Sequence, residues 1–336
     1  MLKDFDPNSA SSYLDGIFGL PCTYEDSQVI YLPIPWDATT SYLDGTSQGP
    51  QAILEASDQI DFFDLQYTDL YKQGLYMLPI EKSIIDLNKS TREQALKIIN
   101  NQGDQQNINF VNKNSEVLND HVYQKTLKIL EDEKTSILIG GDHSTPFGHI
   151  KAYSEKFEEF GILHIDAHSD TRKAYLGFKH SHASIMYNCL SEIKSISSLV
   201  QVGIRDFCEE EYNYINKKNK IHCFFDESIK NHQLKGLPFD TIARDIISKL
   251  PNDVYISIDI DGLDPKYCPN TGTPVPGGLE YYELLFLINE IIRTKRRIIG
   301  ADLVEVAPNK DNEWDANVGM RLLYKLSIMA LASQRK

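Results

Sequence analysis

Three short stretches of this sequence place metal- or proton-handling side chains directly after apolar runs. In "GILHIDAHSD" (161–170), the apolar Gly161-Ile162-Leu163 leads into Asp166, His168 and Asp170 at every second position. In "SILIGGDHS" (136–144), the run ends in Gly140-Gly141, Asp142 and His143. In "VYISIDIDGLDP" (254–265), Ser257, Asp259 and Asp261 alternate before a glycine turn. Side chains alternate faces along a strand, so an i, i+2, i+4 set points to one side. Four carboxylates brought close together are strongly unfavourable without compensation. Two divalent cations offset those charges and take two imidazoles as neutral ligands. Mixed Asp/His sites suit Mn²⁺, Ni²⁺ or Zn²⁺ better than Ca²⁺, and two ions about 3.5 Å apart activate a water between them. One such motif alone would read as a turn or a core histidine. Three of them predict a dinuclear metal site built from His143, Asp166, His168, Asp170, Asp259 and Asp261.

The elements that must carry these residues alternate along the chain. Candidate strands cover 28–34, 136–140, 161–166, 198–204, 221–225, 254–261 and 297–306. Helical spacing appears at 51–60, 115–133, 239–250, 281–295 and 315–334. Nearly continuous apolar strands alternating with helices predict an α/β protein, a parallel sheet covered on both faces. In such sheets ligands bind at the carboxyl ends of the strands, which is where the three polar clusters fall. No linker divides the chain, so 1–336 reads as a single domain, with 1–27 an N-terminal extension. The Asn/Gln-rich 100–116 reads as a polar loop.

Composition narrows the function. The 336 residues are 41% hydrophobic and 24% charged, as expected of an ordinary globular protein. A formal net charge of −14 disfavours nucleic acid and anionic membranes as partners and mildly suits a cationic substrate. Five dispersed cysteines without a C-x-x-C pair, no secretory signal and no apolar run near bilayer length predict a cytoplasmic protein with free thiols.

"GGDHS" (140–144), "DAHSD" (166–170) and "SIDIDGLDP" (257–265) resemble the three signature blocks of the ureohydrolases, the arginase/agmatinase family. "TTSYLDGTSQGPQAILEAS" (39–57), "TGTPVPGGL" (271–279) and "DLVEVAP" (302–308) extend the resemblance over nearly the whole chain from about residue 28. It implies a three-layer α/β/α fold with a mainly parallel central sheet, two Mn²⁺ (Ni²⁺ the alternative), and a homo-trimer or homo-hexamer. His143, Asp166, Asp170 and Asp259 would hold one ion. Asp166, His168, Asp259 and Asp261 would hold the other, with Asp166 and Asp259 bridging. The implied reaction is hydrolysis of a guanidino group to urea and an amine. Glu305 matches the family's guanidinium-binding glutamate, His182 its proton-relaying histidine, and Asp170 is placed to pass a proton to the departing amine. His180 competes with His182 for the relay role, while His149 and His164 read as surface or packing residues.

The resemblance also bears on the substrate. Arginase-like members clamp the amino-acid end with an Asn/Thr/Ser-rich loop and an aspartate. Here the loop is "TRKAYLGFKHSHAS" (171–184), and Cys208 stands in the aspartate's position. Both departures point away from L-arginine and toward agmatine, a small cationic guanidino compound. Arg172 keeps open a carboxylate-bearing substrate such as 4-guanidinobutyrate or N-formimidoylglutamate, or else pairs with a nearby acid. Free guanidine and a catalytically silent metal-binding scaffold are the remaining alternatives. Trp36, Tyr42 and Tyr175 are candidates for the mouth of the site.

Overall fold

The computed structural model describes residue 2, residues 5–10 and residues 12–335. Among these, eight strands form one sheet: β1 (Val29–Ile34), β2 (Leu75–Met77), β3 (Thr135–Gly140), β4 (Phe160–Ile165), β5 (Ile196–Ile204), β6 (Ile221–Phe225), β7 (Asp253–Asp259) and β8 (Arg297–Val304). Their order is β2-β1-β3-β8-β7-β4-β5-β6, and every pairing is parallel. The helices are α1 (Gly49–Ala56), α2 (Lys82–Ile99), α3 (Gln105–Glu131), α4 (Phe147–Tyr153) and α5 (Ile185–Glu192), followed by α6 (Glu209–Lys217), α7 (Asp226–Leu234), α8 (Phe239–Ser248), α9 (Tyr281–Arg293) and α10 (Trp314–Ser333).

Strand periodicity sorts the core into two faces. Val254, Ile256 and Ile258 of β7 pack with Ile246 of α8, Leu287 of α9 and Leu326 of α10. Tyr255, between them in sequence, faces the other way, against Ile150 of α4 and Met186 of α5. Leu118 and Val122 of α3 cover Leu138 and Val304 on that second face. Burial on both faces requires apolar residues at nearly every strand position, so these strands read as continuous runs. Phe18 of the N-terminal extension is also buried, edge-on to Tyr31 and Tyr324.

Two expectations need correcting. The polar stretch 100–116 is not a loop beyond Asp104, because α3 starts at Gln105. Asp104 accepts from Gln106 N at 2.8 Å and Asn107 N at 3.3 Å, while Asn107 Oδ1 accepts from Asp104 N at 2.8 Å. This reciprocal cap satisfies the first-turn amides. Ile108 and Val111 then pack against Ala95 and Phe178, which the Asn/Gln content obscured.

The second correction concerns 166–170. β4 ends at Ile165, so Asp166, His168 and Asp170 are not strand residues. Their convergence comes from a loop: His168 forms an isolated bridge with Asp206, and Asp170 has a left-handed φ of 54°.

Candidate active site

The loops after β3, β4, β7 and β8 bring the polar residues to one edge of the sheet. His143 Nδ1 lies 3.0 Å from Asp166 Oδ2, 3.2 Å from Asp170 Oδ2 and 3.5 Å from Asp259 Oδ2. His168 Nδ1 lies 3.0 Å from Asp261 Oδ2 and 3.5 Å from Asp166 Oδ1. The backbone supports this arrangement: Ala167 N donates to Asp261 Oδ1 at 3.0 Å, and Asp261 N donates to Asp259 Oδ1 at 2.8 Å.

These residues fit metal ions. Among the described residues Asp261 Oδ2 is buried without a hydrogen-bond partner despite its nearness to His168. A close approach that is not a hydrogen bond is the geometry of two ligands sharing one ion. The electrostatics agree: burial, then Asp166, pushes the Asp170 carboxyl up to about 7, and burial with Asp261 and Asp166 pushes Asp259 well above its ordinary range. Burial opposes charge on His168 as well, yet Asp261 and Asp166 drive its pKa up to about 12. Four candidate ligands, His143, Asp166, His168 and Asp170, join Asp259 and Asp261 as expected from the sequence.

His164 also reaches the cluster, a residue that sequence reasoning set aside as packing. It is fully buried, with Nε2 2.8 Å from Asp166 Oδ2. Gln201 Nε2 contacts His164 Nδ1 at 2.9 Å and the Ser169 carbonyl at 2.7 Å. The amide therefore donates to Nδ1, leaving the ring proton on Nε2. His164 donates to Asp166 and steers that carboxylate, and its lone pair is not available to an ion. The H-x-D spacing inside a buried strand was the signal for it.

A cleft of about 130 Å³ opens over the cluster, lined by His143, His168, Asp170 and Asp259 together with His182 and Glu305. Glu305 follows β8 in a left-handed conformation, φ 64°, held by its N–H to Gly141 O at 2.8 Å and its carbonyl to Thr271 Oγ1 at 2.7 Å. Its Oε1 accepts from His143 N at 2.9 Å, while Oε2 is buried without a hydrogen-bond partner among the described residues. Burial, then Asp142, raises its pKa well above its ordinary value, against the opposing effect of His143.

His182 borders the cleft and His180 does not; His180 packs on Phe147 with ring centroids 5.1 Å apart. Burial, then the neighbouring His168 and His143, holds His182 down at about 4, a neutral imidazole. Its Nδ1 is 3.4 Å from Thr39 Oγ1, which donates to Asp142 at 3.1 Å.

At the mouth, Arg172 Nε sits 3.4 Å from Glu211 Oε2 and its guanidinium covers the Tyr175 ring at 5.2 Å. Glu211 is buried and also accepts from Cys208 N at 3.0 Å. Asp206 is the exposed acid of the lining, with 68% of its side chain accessible. Tyr175 lines the cleft; Trp36 lies in the core, and Tyr42 is exposed outside the lining.

A family model described as the arginase family matches residues 27–329. The chain belongs to the arginase family. Family membership makes it a metal-dependent hydrolase of linear amidines, a ureohydrolase. The N(1)-aminopropylagmatine ureohydrolase of Synechocystis is 32% identical over 317 residues, covering 94% of this chain and 92% of the relative. The agmatinase of Bacillus subtilis is 30% identical, covering 90% and 92%. Among solved structures, the agmatine ureohydrolase of Thermoplasma volcanium superposes with a TM-score of 0.73 at 25% identity, covering 96% of this chain and 95% of that one. The three-layer arginase fold with its parallel sheet is thus the fold of this chain. Among the described residues no helix is long and apolar enough to cross a membrane.

Proposed function

We propose that this ureohydrolase acts on a guanidino compound with a positively charged tail, agmatine first, releasing urea and putrescine. Glu305 carries the reading. One carboxylate oxygen is fixed by a backbone amide and the other stands buried and unpartnered beside the cleft. A guanidinium offers N–H donors and a positive charge to such an oxygen. In the assignment that follows from the resemblance, His143, Asp166, Asp170 and Asp259 would hold one divalent ion, and Asp166, His168, Asp259 and Asp261 would hold the other. Mn²⁺ is proposed, with Ni²⁺ as the alternative. Such a pair supplies Lewis acidity and a water acidified to the neutral range.

The chain's own residues do the rest. Glu305 holds the planar cation against the cluster, so that binding orients the guanidino carbon. Water adds to that carbon and loses its protons as the urea C=O forms, one of them passing to Asp170; the bond to the tail nitrogen breaks, and that nitrogen leaves with a proton. Asp170 is the proposed donor of that proton, and neutral His182 relays protons between the cleft and solvent.

The mouth favours a cationic tail. Glu211 already neutralises Arg172, which supports the structural-pair reading of that arginine over a carboxylate-bearing substrate. Asp206 adds an exposed negative charge. The same acid, together with three relatives named N(1)-aminopropylagmatine ureohydrolase, favours a second reading in which the tail is the longer aminopropyl-agmatine and the product a triamine.

Urea release from agmatine, aminopropylagmatine, guanidine, 4-guanidinobutyrate and arginine, with Mn²⁺ and Ni²⁺ supplied separately, tests the proposal. One of the two cationic-tailed compounds is expected to lead. Preference for arginine or guanidinobutyrate would overturn the reading of the mouth. No urea or ammonia from any of them would support a silent scaffold.

A further inference from the structure

Behind the cleft, a line of fully buried polar side chains runs along the sheet face that packs on α3–α5. His143 Nε2 lies 2.9 Å from Ser257 Oγ. Ser257 donates to Asp302 Oδ1 at 2.9 Å, and Tyr255 donates to Asp302 Oδ2 at 2.8 Å. His149 Nδ1 meets the Tyr255 hydroxyl at 2.7 Å, and its Nε2 meets Ser136 Oγ at 2.9 Å. Strand geometry creates this line. Tyr255, Ser257 and Asp259 share one face of β7, and Asp302 on β8 is the register partner of Ser257.

Proton counting fixes the directions of these bonds. Ser257 and Tyr255 have one hydroxyl hydrogen each, and both go to Asp302, which as a carboxylate only accepts. Ser257 Oγ can then only accept from the ring, so the proton of His143 sits on Nε2. The Tyr255 oxygen likewise accepts from His149 Nδ1–H, and His149 Nε2 accepts from Ser136. We infer that Asp302, acting through Ser257, determines which nitrogen of His143 faces the acidic cluster, and that Tyr255 and His149 hold Asp302 in that task. The Nδ1 lone pair is thereby presented toward Asp166, Asp170 and Asp259. None of Ser257, Asp302, Tyr255 and His149 lines the cleft, so all four are positioning residues.

The inference rests on the metal-centre reading above, and its test separates the two. Metal-free protein is titrated with Mn²⁺ by calorimetry, and bound metal per chain is counted after dialysis. The parent is expected to take up two ions. Ser257→Ala removes the acceptor for the Nε2 proton. Asp302→Asn removes the charge that draws the serine hydrogen away from His143. Each is expected to weaken one ion, the one assigned to His143, by about tenfold or more, the scale of outer-shell effects. The ion assigned to His168 and Asp261 should keep its affinity, and the metal-free melting temperature should stay near that of the parent. Unchanged binding of both ions overturns the inference. Equal weakening of both ions with a lower metal-free melting temperature also overturns it, because the line would then be only structural. If Asp302→Asn does not fold, Ser257→Ala decides alone. A parent binding fewer than two ions fails the metal-centre reading itself, and the inference with it.

Discussion

The backbone N–H of His143 donates to Oε1 of Glu305 at 2.9 Å, so a candidate metal ligand and the candidate guanidinium partner share one hydrogen bond. This contact uses one carboxylate oxygen and leaves the other as the one proposed to meet the guanidinium. It also sets the height of Glu305 above the cluster, since the donor belongs to the residue that contributes Nδ1.

Glu305→Gln keeps the shape and one acceptor but removes the charge. The kcat/KM for agmatine should fall at least about a hundredfold, roughly 2.7 kcal/mol of transition-state stabilisation. Bound metal and melting temperature should hardly change. Loss of metal in this variant would make Glu305 a ligand or a structural residue.

Asp259→Ala tests the bridging assignment. One change should remove a ligand from both ions and leave the remaining carboxylates repelling each other. Elemental analysis after dialysis should give well under the parent's metal content. Two retained ions with normal turnover would falsify the assignment.

Arg172→Met tests whether the mouth reads a carboxylate. Its charge is already balanced by Glu211, and partly exposed pairs contribute only about 0–1 kcal/mol. Turnover of agmatine should change by less than about fivefold. A far larger loss, confined to a carboxylate-bearing guanidine, would return Arg172 to the substrate.

Acid sensitivity is a separate consequence of burial. Burial holds His149 down at about 3, against an ordinary value of 6.5. Between those values the unfolded chain binds a proton that the folded chain does not. Stability therefore falls as pH drops from about 6.5 toward 3, by up to about 1.4 kcal/mol per pH unit from this group. In His149→Gln that contribution disappears. Denaturant midpoints of metal-free protein between pH 6.5 and 4 should give a shallower slope for the variant. Parallel slopes would show that His149 is charged in the folded state or that other groups dominate.

The sequence by itself determined which residues meet at the strand ends. An apolar run followed by Asp or His specifies its own element, because burial on both faces of a parallel sheet selects continuous β-branched and aliphatic residues. β6 matches its expected bounds, 221–225, and the runs ending at His143, Asp166 and Asp259 lie at the ends of β3, β4 and β7. The chemical types of the six candidate ligands needed no coordinates.

Only the tertiary structure decided how those residues are held. Asp170 and Glu305 take left-handed backbone conformations that cost on the order of 1 kcal/mol each, and contacts from distant loops hold them there. The position of His182 at the cleft and of His180 away from it, the pairing of Arg172 with Glu211 and the donation from His164 to Asp166 all depend on packing between separate loops. Ser257 and Asp302 lie 45 positions apart in sequence yet meet across one strand pair. Local pattern fixes each element, because neighbours in the chain set it. The direction of a buried hydrogen bond depends on what the partner's other atoms already bind, and that exists only once the sheet has formed.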